Sequence, residues 1–145
     1  MVAGFISSNI LRSLLRYGFV SKALRIESAY LAYHYAKDVL NGPFPEGEPA
    51  IAKICYYSLE YATEVLHGLF PAGEAAIAKH GTLAAFYAMQ YKGRWPEAEP
   101  AIANSERAYN YAKHVLKLKE KAALAWGNFD YENYRTKETP WKQKS

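Results

Sequence analysis

Cysteine is almost absent from this chain: Cys55 stands alone, so no internal disulfide can form and a secreted, disulfide-stapled domain is excluded. A reducing compartment fits better, and a cytoplasmic location is expected. Long apolar runs are missing too. None approaches the ~18 residues that cross a bilayer, and the first ten residues lack the basic start and extended apolar stretch of a secretory signal, so no membrane association is expected. Residues 1–26 carry Arg12, Arg16, Lys22 and Arg25 with several serines and no acid, a composition transit peptides share. Part of this stretch, however, falls in register with a repeat.

What is present is an ordinary apolar content, 50%, with 22% charged residues over 145 positions, enough to bury a core without metal or disulfide help. Tyrosine is the excess, at 13 residues. The net charge of +4 is unevenly placed: residues 1–72 hold six bases and six acids, residues 73–145 twelve and eight. Arg107, Lys113, Lys117, Lys119, Lys121 and the tail residues Arg135, Lys137, Lys142 and Lys144 supply most of the excess. Such a patch suits an acidic protein or a nucleic acid, although solvated helix ends commonly look the same.

Set against itself, the chain repeats. Tyr35-Ala36-Lys37-Asp38-Val39-Leu40-Asn41-Gly42 returns 26 positions later as Tyr61-Ala62-Thr63-Glu64-Val65-Leu66-His67-Gly68. Further copies begin at Tyr87-Ala88 and at Tyr111-Ala112-Lys113-His114-Val115-Leu116. The connecting segment repeats as Phe44-Pro45-Glu46-Gly47-Glu48-Pro49-Ala50-Ile51, Phe70-Pro71-Ala72-Gly73-Glu74-Ala75-Ala76-Ile77 and Trp95-Pro96-Glu97-Ala98-Glu99-Pro100-Ala101-Ile102. A worn first unit lies upstream, where Leu14, Leu15, Phe19 and Ile26 fall under Val39, Leu40, Phe44 and Ile51.

Each unit reads as a long and a short helix. The long helix is expected to start near Ser28, Ile54, His80 or Ser105, with the two serines as N-caps, and to end at a left-handed glycine, 42, 68 or 93. The short helix is expected to open at Pro45, Pro71 or Pro96, with acids in its first turn complementing the helix dipole. Ala36, Ala62, Ala88 and Ala112, with Ala32, Ser58, Ala84 and Ala108 one turn earlier, form a stripe of small residues that lets helices approach closely. No unit can bury its apolar face alone, so the units are expected to stack. The fold class is therefore all-α, a short α-solenoid of about four to five helix-turn-helix repeats of 25–26 residues. The expected organisation is a single domain over 1–127, with a cap and degenerate repeat at 1–27, repeats at 28–116 and a capping helix at 117–127, then a polar-aromatic tail at 128–145.

The pattern Tyr-Ala-x-x-Val-Leu-x-Gly-x-aromatic-Pro-Glu-Gly-Glu-Pro-Ala-Ile-Ala-Lys resembles a repeat of uncharacterised short helical proteins from tailed bacteriophages and other large DNA viruses. The resemblance spans about residues 28–116. It implies a helical fold and a viral origin, and it carries no catalytic residue across. A role in host takeover or counter-defence, acting on a host protein in the host cytoplasm, is what such an origin suggests.

Chemistry is harder to find. Glu46, Glu48, Glu74, Glu97 and Glu99 occupy corresponding places, and helix N-terminal complementation accounts for them. Glu64-x-x-His67 has the spacing of di-metal bundles but occurs once, so no metal or other cofactor is expected. Cys55 sits where other units carry Ala29, Gly81 and Glu106, which favours a partly buried structural thiol over a nucleophile. Every glycine is read as a helix end or a degenerate repeat position, and an enzyme is not expected. Tyr35, Tyr61, Tyr87 and Tyr111 share one register. They fit rings packed between repeats with hydroxyls at the surface, or a stacking platform for single-stranded nucleic acid.

Positions alike in all units serve stacking, and positions that differ are free for function. On the long helices the differing set is His34, Lys37, Asp38, Asn41; Glu60, Thr63, Glu64, His67; Phe86, Met89, Gln90; and Asn110, Lys113, His114, Lys117. Phe86 and Met89 either form an apolar spot beside Gln90, with Glu60, Glu64, Lys113, His114 and Lys117 as its charged rim, or are covered by neighbouring segments. A non-enzymatic protein-binding module, inhibitor or adaptor, is the leading reading. Nucleic acid is the alternative partner, and pairing with a second copy of the chain stays open.

Overall fold

The computed structural model describes residues 8–16, 18, 21, 27–131 and 133. Among these residues the protein is entirely helical, with neighbouring helices packed in contact and no strand. The chain forms two compact units, residues 1–77 and 78–145.

In the first unit, α1 (Ser8–Arg16) is followed by α2 (Ala29–His34), which runs on as a π-helical segment, Tyr35–Leu40. After α3 (Glu48–Ile51), helix α4 (Cys55–Tyr61) continues in the same way through Ala62–Leu66, and α5 (Pro71–Ile77) closes the unit. The second unit holds α6 (Gly81–Tyr87) with its π segment Ala88–Lys92, then α7 (Glu99–Ala103), α8 (Ala108–His114) and α9 (Glu120–Ala125). Long and short helices alternate at the repeat period. Helix α1 lies within the stretch expected to cap the N-terminus, and its Leu11 and Leu15 are buried; Phe19 and Ile26 lie outside the described residues.

Burial follows the repeat. Ala36, Ala62, Ala88 and Ala112 are essentially inaccessible, as are Ala32, Ser58, Ala84 and Ala108. The isoleucine of each short helix (Ile51, Ile77, Ile102) and the aromatic that precedes it (Phe44, Phe70, Trp95) complete the core. Ser58 keeps its hydroxyl satisfied in this apolar stripe by donating to Ile51 O at 3.0 Å.

Helix ends depart from expectation in an orderly way. At the ends of the long helices the positive-φ residues are Asn41 (φ 51°), His67 (φ 51°), Gly93 (φ 78°) and Lys117 (φ 59°), each six positions after a repeat tyrosine. Gly42 and Gly68 are not left-handed, which corrects the expectation for two of the three glycines. The cause is the π segment. By closing one residue wider than an α-turn, it brings Ala36 O within reach of both Asn41 N–H and Gly42 N–H, and Ala62 O within reach of His67 N–H and Gly68 N–H. The last long helix ends on the same carbonyl, with Leu118 N–H donating to Ala112 O at 3.1 Å.

Two helix starts also move. Pro45 and Pro96 precede a tight turn, and α3 and α7 begin at Glu48 and Glu99, so that Pro49 and Pro100 occupy their first turns. Where the middle copy has Ala75 instead of proline, α5 runs unbroken from Pro71. Ser28 caps α2 by accepting from Leu31 N–H at 3.3 Å. Ser105 instead donates to Ile102 O at 2.8 Å, and α8 starts only at Ala108. Gly81, read from sequence as a degenerate position, is a point of close approach: a β-carbon there would lie 2.2 Å from Ala101 O.

Candidate interaction surface

Tyr61 and Tyr111 are wholly buried, and their hydroxyls do not reach solvent. Tyr61 accepts from Phe44 N–H at 2.9 Å and donates to Glu48 Oε1 at 2.8 Å. Tyr111 does the same with Trp95 N–H at 2.8 Å and Glu99 Oε1 at 3.1 Å. Burial first, and the neighbouring glutamate second, push both phenols above their ordinary pKa. Rings pack edge-on or tilted against aromatics: Tyr35 on Phe44, Tyr61 on Phe70, Tyr87 on Trp95 and Tyr111 on Trp126, at centroid distances of 5.0–5.5 Å. A base-stacking platform needs open ring faces. Tyr61, Tyr87 and Tyr111 offer none, so the tyrosine register belongs to the core and Glu48 and Glu99 to its hydrogen bonding.

Open tyrosines lie elsewhere in the first unit, where α2 and α4 pack side by side. Tyr57 meets Tyr30 at 6.0 Å, Tyr33 at 5.7 Å and Tyr56 at 5.4 Å, and the His34 ring adds a fifth member against Tyr30 at 4.5 Å and Tyr33 at 5.0 Å. Tyr33 is buried, whereas Tyr30 and Tyr56 are 37% and 54% exposed. The cluster is therefore anchored below and open above. Exposed Ile54 stands at the head of α4, next to half-buried Cys55.

Charged groups border these rings. Lys37 Nζ donates to the Tyr33 hydroxyl at 3.1 Å, lies 5.6 Å from the ring centroid, and pairs with Glu64 at 3.5 Å. Tyr33 in turn donates to Glu60 Oε2 at 3.4 Å. The Tyr33 phenol is pushed up, chiefly by burial, and the Lys37 ammonium is raised, chiefly by its hydrogen bond to that phenol. On the other flank, His34 Nδ1 bonds Asp38 Oδ2 at 2.9 Å, and Arg12 reaches Asp38 Oδ1 at 3.3 Å.

The eight candidate residues divide between the units. Glu60 and Glu64 join the network just described. In the second unit Phe86 and Met89 are half-buried rather than open, and Gln90 is exposed. Lys113 forms an ion pair with Glu120 and lies 5.7 Å from the Tyr109 ring, while His114 and Lys117 are exposed. The Lys113 contact holds the Glu120 carboxyl below its usual range. Tyr131, in the stretch read as a tail, covers this corner by accepting from Tyr109 N–H. Asn128 N–H donates to Ala103 O at 2.8 Å, so the chain past α9 is held against α7.

Among the described residues no group of three or more His, Cys, Asp and Glu side chains converges as metal ligands, and no helix is long and apolar enough to cross a membrane. Glu64 turns to Lys37, while exposed His67 takes the left-handed corner. Sequence reasoning missed Tyr30, Tyr33, Tyr56 and Tyr57. Positions 30 and 56 share a register that carries Thr82 in the third copy, so they too differ between copies, but on the opening turn of the helix rather than on its later turns.

Comparison of the chain with protein-family models, curated proteins and solved structures finds no match.

Proposed function

We propose that this chain is a non-enzymatic binding module for a protein partner, and that the tyrosine platform of α2 and α4 is its principal contact surface. One observation carries this reading. Tyr30 and Tyr56 are open to solvent, yet they belong to a ring cluster whose inner member, Tyr33, is fixed by hydrogen bonds. Rigid, amphipathic tyrosines lose little conformational entropy on binding and are enriched where protein contacts concentrate their energy. The repeat's resemblance to viral proteins makes a host protein the expected partner, with the chain as inhibitor or adaptor. Phe86 and Met89, half covered, fit a secondary contact beside Gln90 and exposed His114 and Lys117.

Nucleic acid is the second reading, favoured by exposed Arg107, Lys117, Lys119 and Lys121 in the second unit. Its support is reduced by the burial of the repeat tyrosines. Affinity capture from a bacterial lysate with the native chain, Tyr30→Ala/Tyr56→Ala and Phe86→Ala separates the readings, with circular dichroism as the folding control. The platform reading expects one protein species to be retained by the native chain and lost by the double variant. Retention by the double variant and loss by Phe86→Ala would move the site to the second unit. Capture abolished by nuclease or by moderate salt, whatever the variant, would favour nucleic acid.

A further inference from the structure

The charge around the tyrosine platform is unbalanced, and the imbalance selects the occupant. Asp38 is already matched, held by Arg12 at 3.3 Å and by His34 at 2.9 Å. On the other flank one ammonium, Lys37, serves two carboxylates: Glu64 directly at 3.5 Å, and Glu60 only through the Tyr33 hydroxyl. Glu64 keeps 47% of its side chain open and Lys37 38%, so their pair is a solvent-exposed one that exchanges readily. Tyr56, Glu60 and Glu64 follow one another at intervals of four, which runs the carboxylates along α4 and its π-helical continuation from the most open ring of the cluster. The same negative potential acts on the Tyr33 phenol, whose rise in pKa owes part of its extent to Glu60 and Glu64.

We infer that the platform accepts a basic peptide segment that lays an arginine across the open tyrosine faces and pairs it with Glu60 and Glu64. A guanidinium suits both halves of this surface. Its planar face stacks on a tyrosine ring, its edge forks onto a carboxylate, and it is more weakly hydrated than an ammonium, so it costs less to seat. An acidic segment meets two carboxylates with one shared lysine and is repelled. A purely apolar segment would cover Glu60 and Glu64 without replacing their water.

The inference rests on the platform reading above, and the test separates the two. A displayed library of random dodecapeptides is selected on the immobilised full chain, and the winners are titrated as synthetic peptides against the native chain, Glu60→Gln/Glu64→Gln and Tyr30→Ala/Tyr56→Ala. Glutamine retains an acceptor for the Tyr33 hydroxyl and removes only the charge. The expected winners carry arginine, bind Glu60→Gln/Glu64→Gln about tenfold more weakly or worse, and lose several-fold in affinity when their arginine is replaced by lysine. Winners without a basic residue, winners indifferent to the glutamine pair, or no enrichment at all would each overturn the arginine preference. Winners that lose affinity on Tyr30→Ala/Tyr56→Ala but not on the glutamine pair leave the platform standing and reject its cationic occupant. Winners unaffected by the tyrosine variant reject the platform as well.

Discussion

Replacing Tyr61 with phenylalanine deletes a single oxygen from the core and should destabilise the protein more than any conservative surface change. That oxygen accepts from Phe44 N–H at 2.9 Å and donates to Glu48 at 2.8 Å. Phe44 is 8% exposed, so its amide has no water to fall back on, and an orphaned buried donor costs about 1–3 kcal/mol. Glu48 is only half-buried and can recover water, so the loss of its bond adds less, and the total comes to about 2–3 kcal/mol. At roughly 2–4 °C per kcal/mol for a chain of this size, Tm should fall by roughly 5–10 °C. Urea denaturation followed by circular dichroism measures it, as a lower midpoint at unchanged slope. The repeat supplies a replicate, because Tyr111 makes the same two bonds to Trp95 N–H and Glu99, and Tyr111→Phe should match Tyr61→Phe within a factor of two to three. Tyr56→Phe, at an exposed ring, should stay within about 0.5 kcal/mol of the native chain. A Tyr61→Phe protein as stable as Tyr56→Phe would refute the reasoning.

Three further outcomes follow from the same geometry. Tyr61 and Tyr111 have folded-state pKa values above the ordinary 10.0, so their contribution is fully present below pH 10 and is lost as pH climbs from there toward the raised values; alkaline titration should show helix loss accompanying tyrosinate absorbance, and ionisation of all tyrosines with the helix intact would contradict it. His67 holds φ 51° without a glycine's freedom, so His67→Gly should stabilise by about 0.5–1 kcal/mol, whereas Gly93→Ala, at φ 78° and ψ −141°, should destabilise by about 1–3 kcal/mol; equal thermal midpoints for the two variants would remove backbone strain as the cause. Gly81→Ala would force a β-carbon to within 2.2 Å of the Ala101 carbonyl oxygen and should cost about 1–3 kcal/mol or more, measured by thermal melting, while Gly42→Ala, which meets nothing within 4 Å, serves as its tolerated counterpart.

The platform was only half legible beforehand. Glu60 and Glu64 were found because they differ from their counterparts in other copies, and both border the tyrosine cluster. Tyr30 and Tyr56 stand on the opening turn of the long helix, where their exposure depends on how α2 and α4 pack and not on the repeat pattern. Phe86 and Met89 replace polar residues, and the sequence leaves open whether they are exposed or covered by neighbouring segments. Their half-burial depends on what packs around them, which a periodic pattern does not state. By sequence Lys113 is a rim charge, and Glu120, seven residues on, pairs with it once α9 folds back on α8.

By itself the sequence determined the period, the helical class and the core. Alanines four residues apart, an isoleucine per short helix and an aromatic before each proline recur at 24 to 26 residues, and a helical assignment places them on buried faces. These are local patterns, set by which side of a helix each residue faces. Tertiary structure decided the rest. The π closure that moves the left-handed corner onto Asn41 and His67 is a choice of hydrogen-bond partner, one that neither residue's propensity announces. The hydroxyls of Tyr61 and Tyr111 find amides 17 and 16 residues away, and the open tyrosines gather only where α2 and α4 pack. Hydrogen-bond partners and ring neighbours are properties of packed pairs, and a pair exists only after the helices have met.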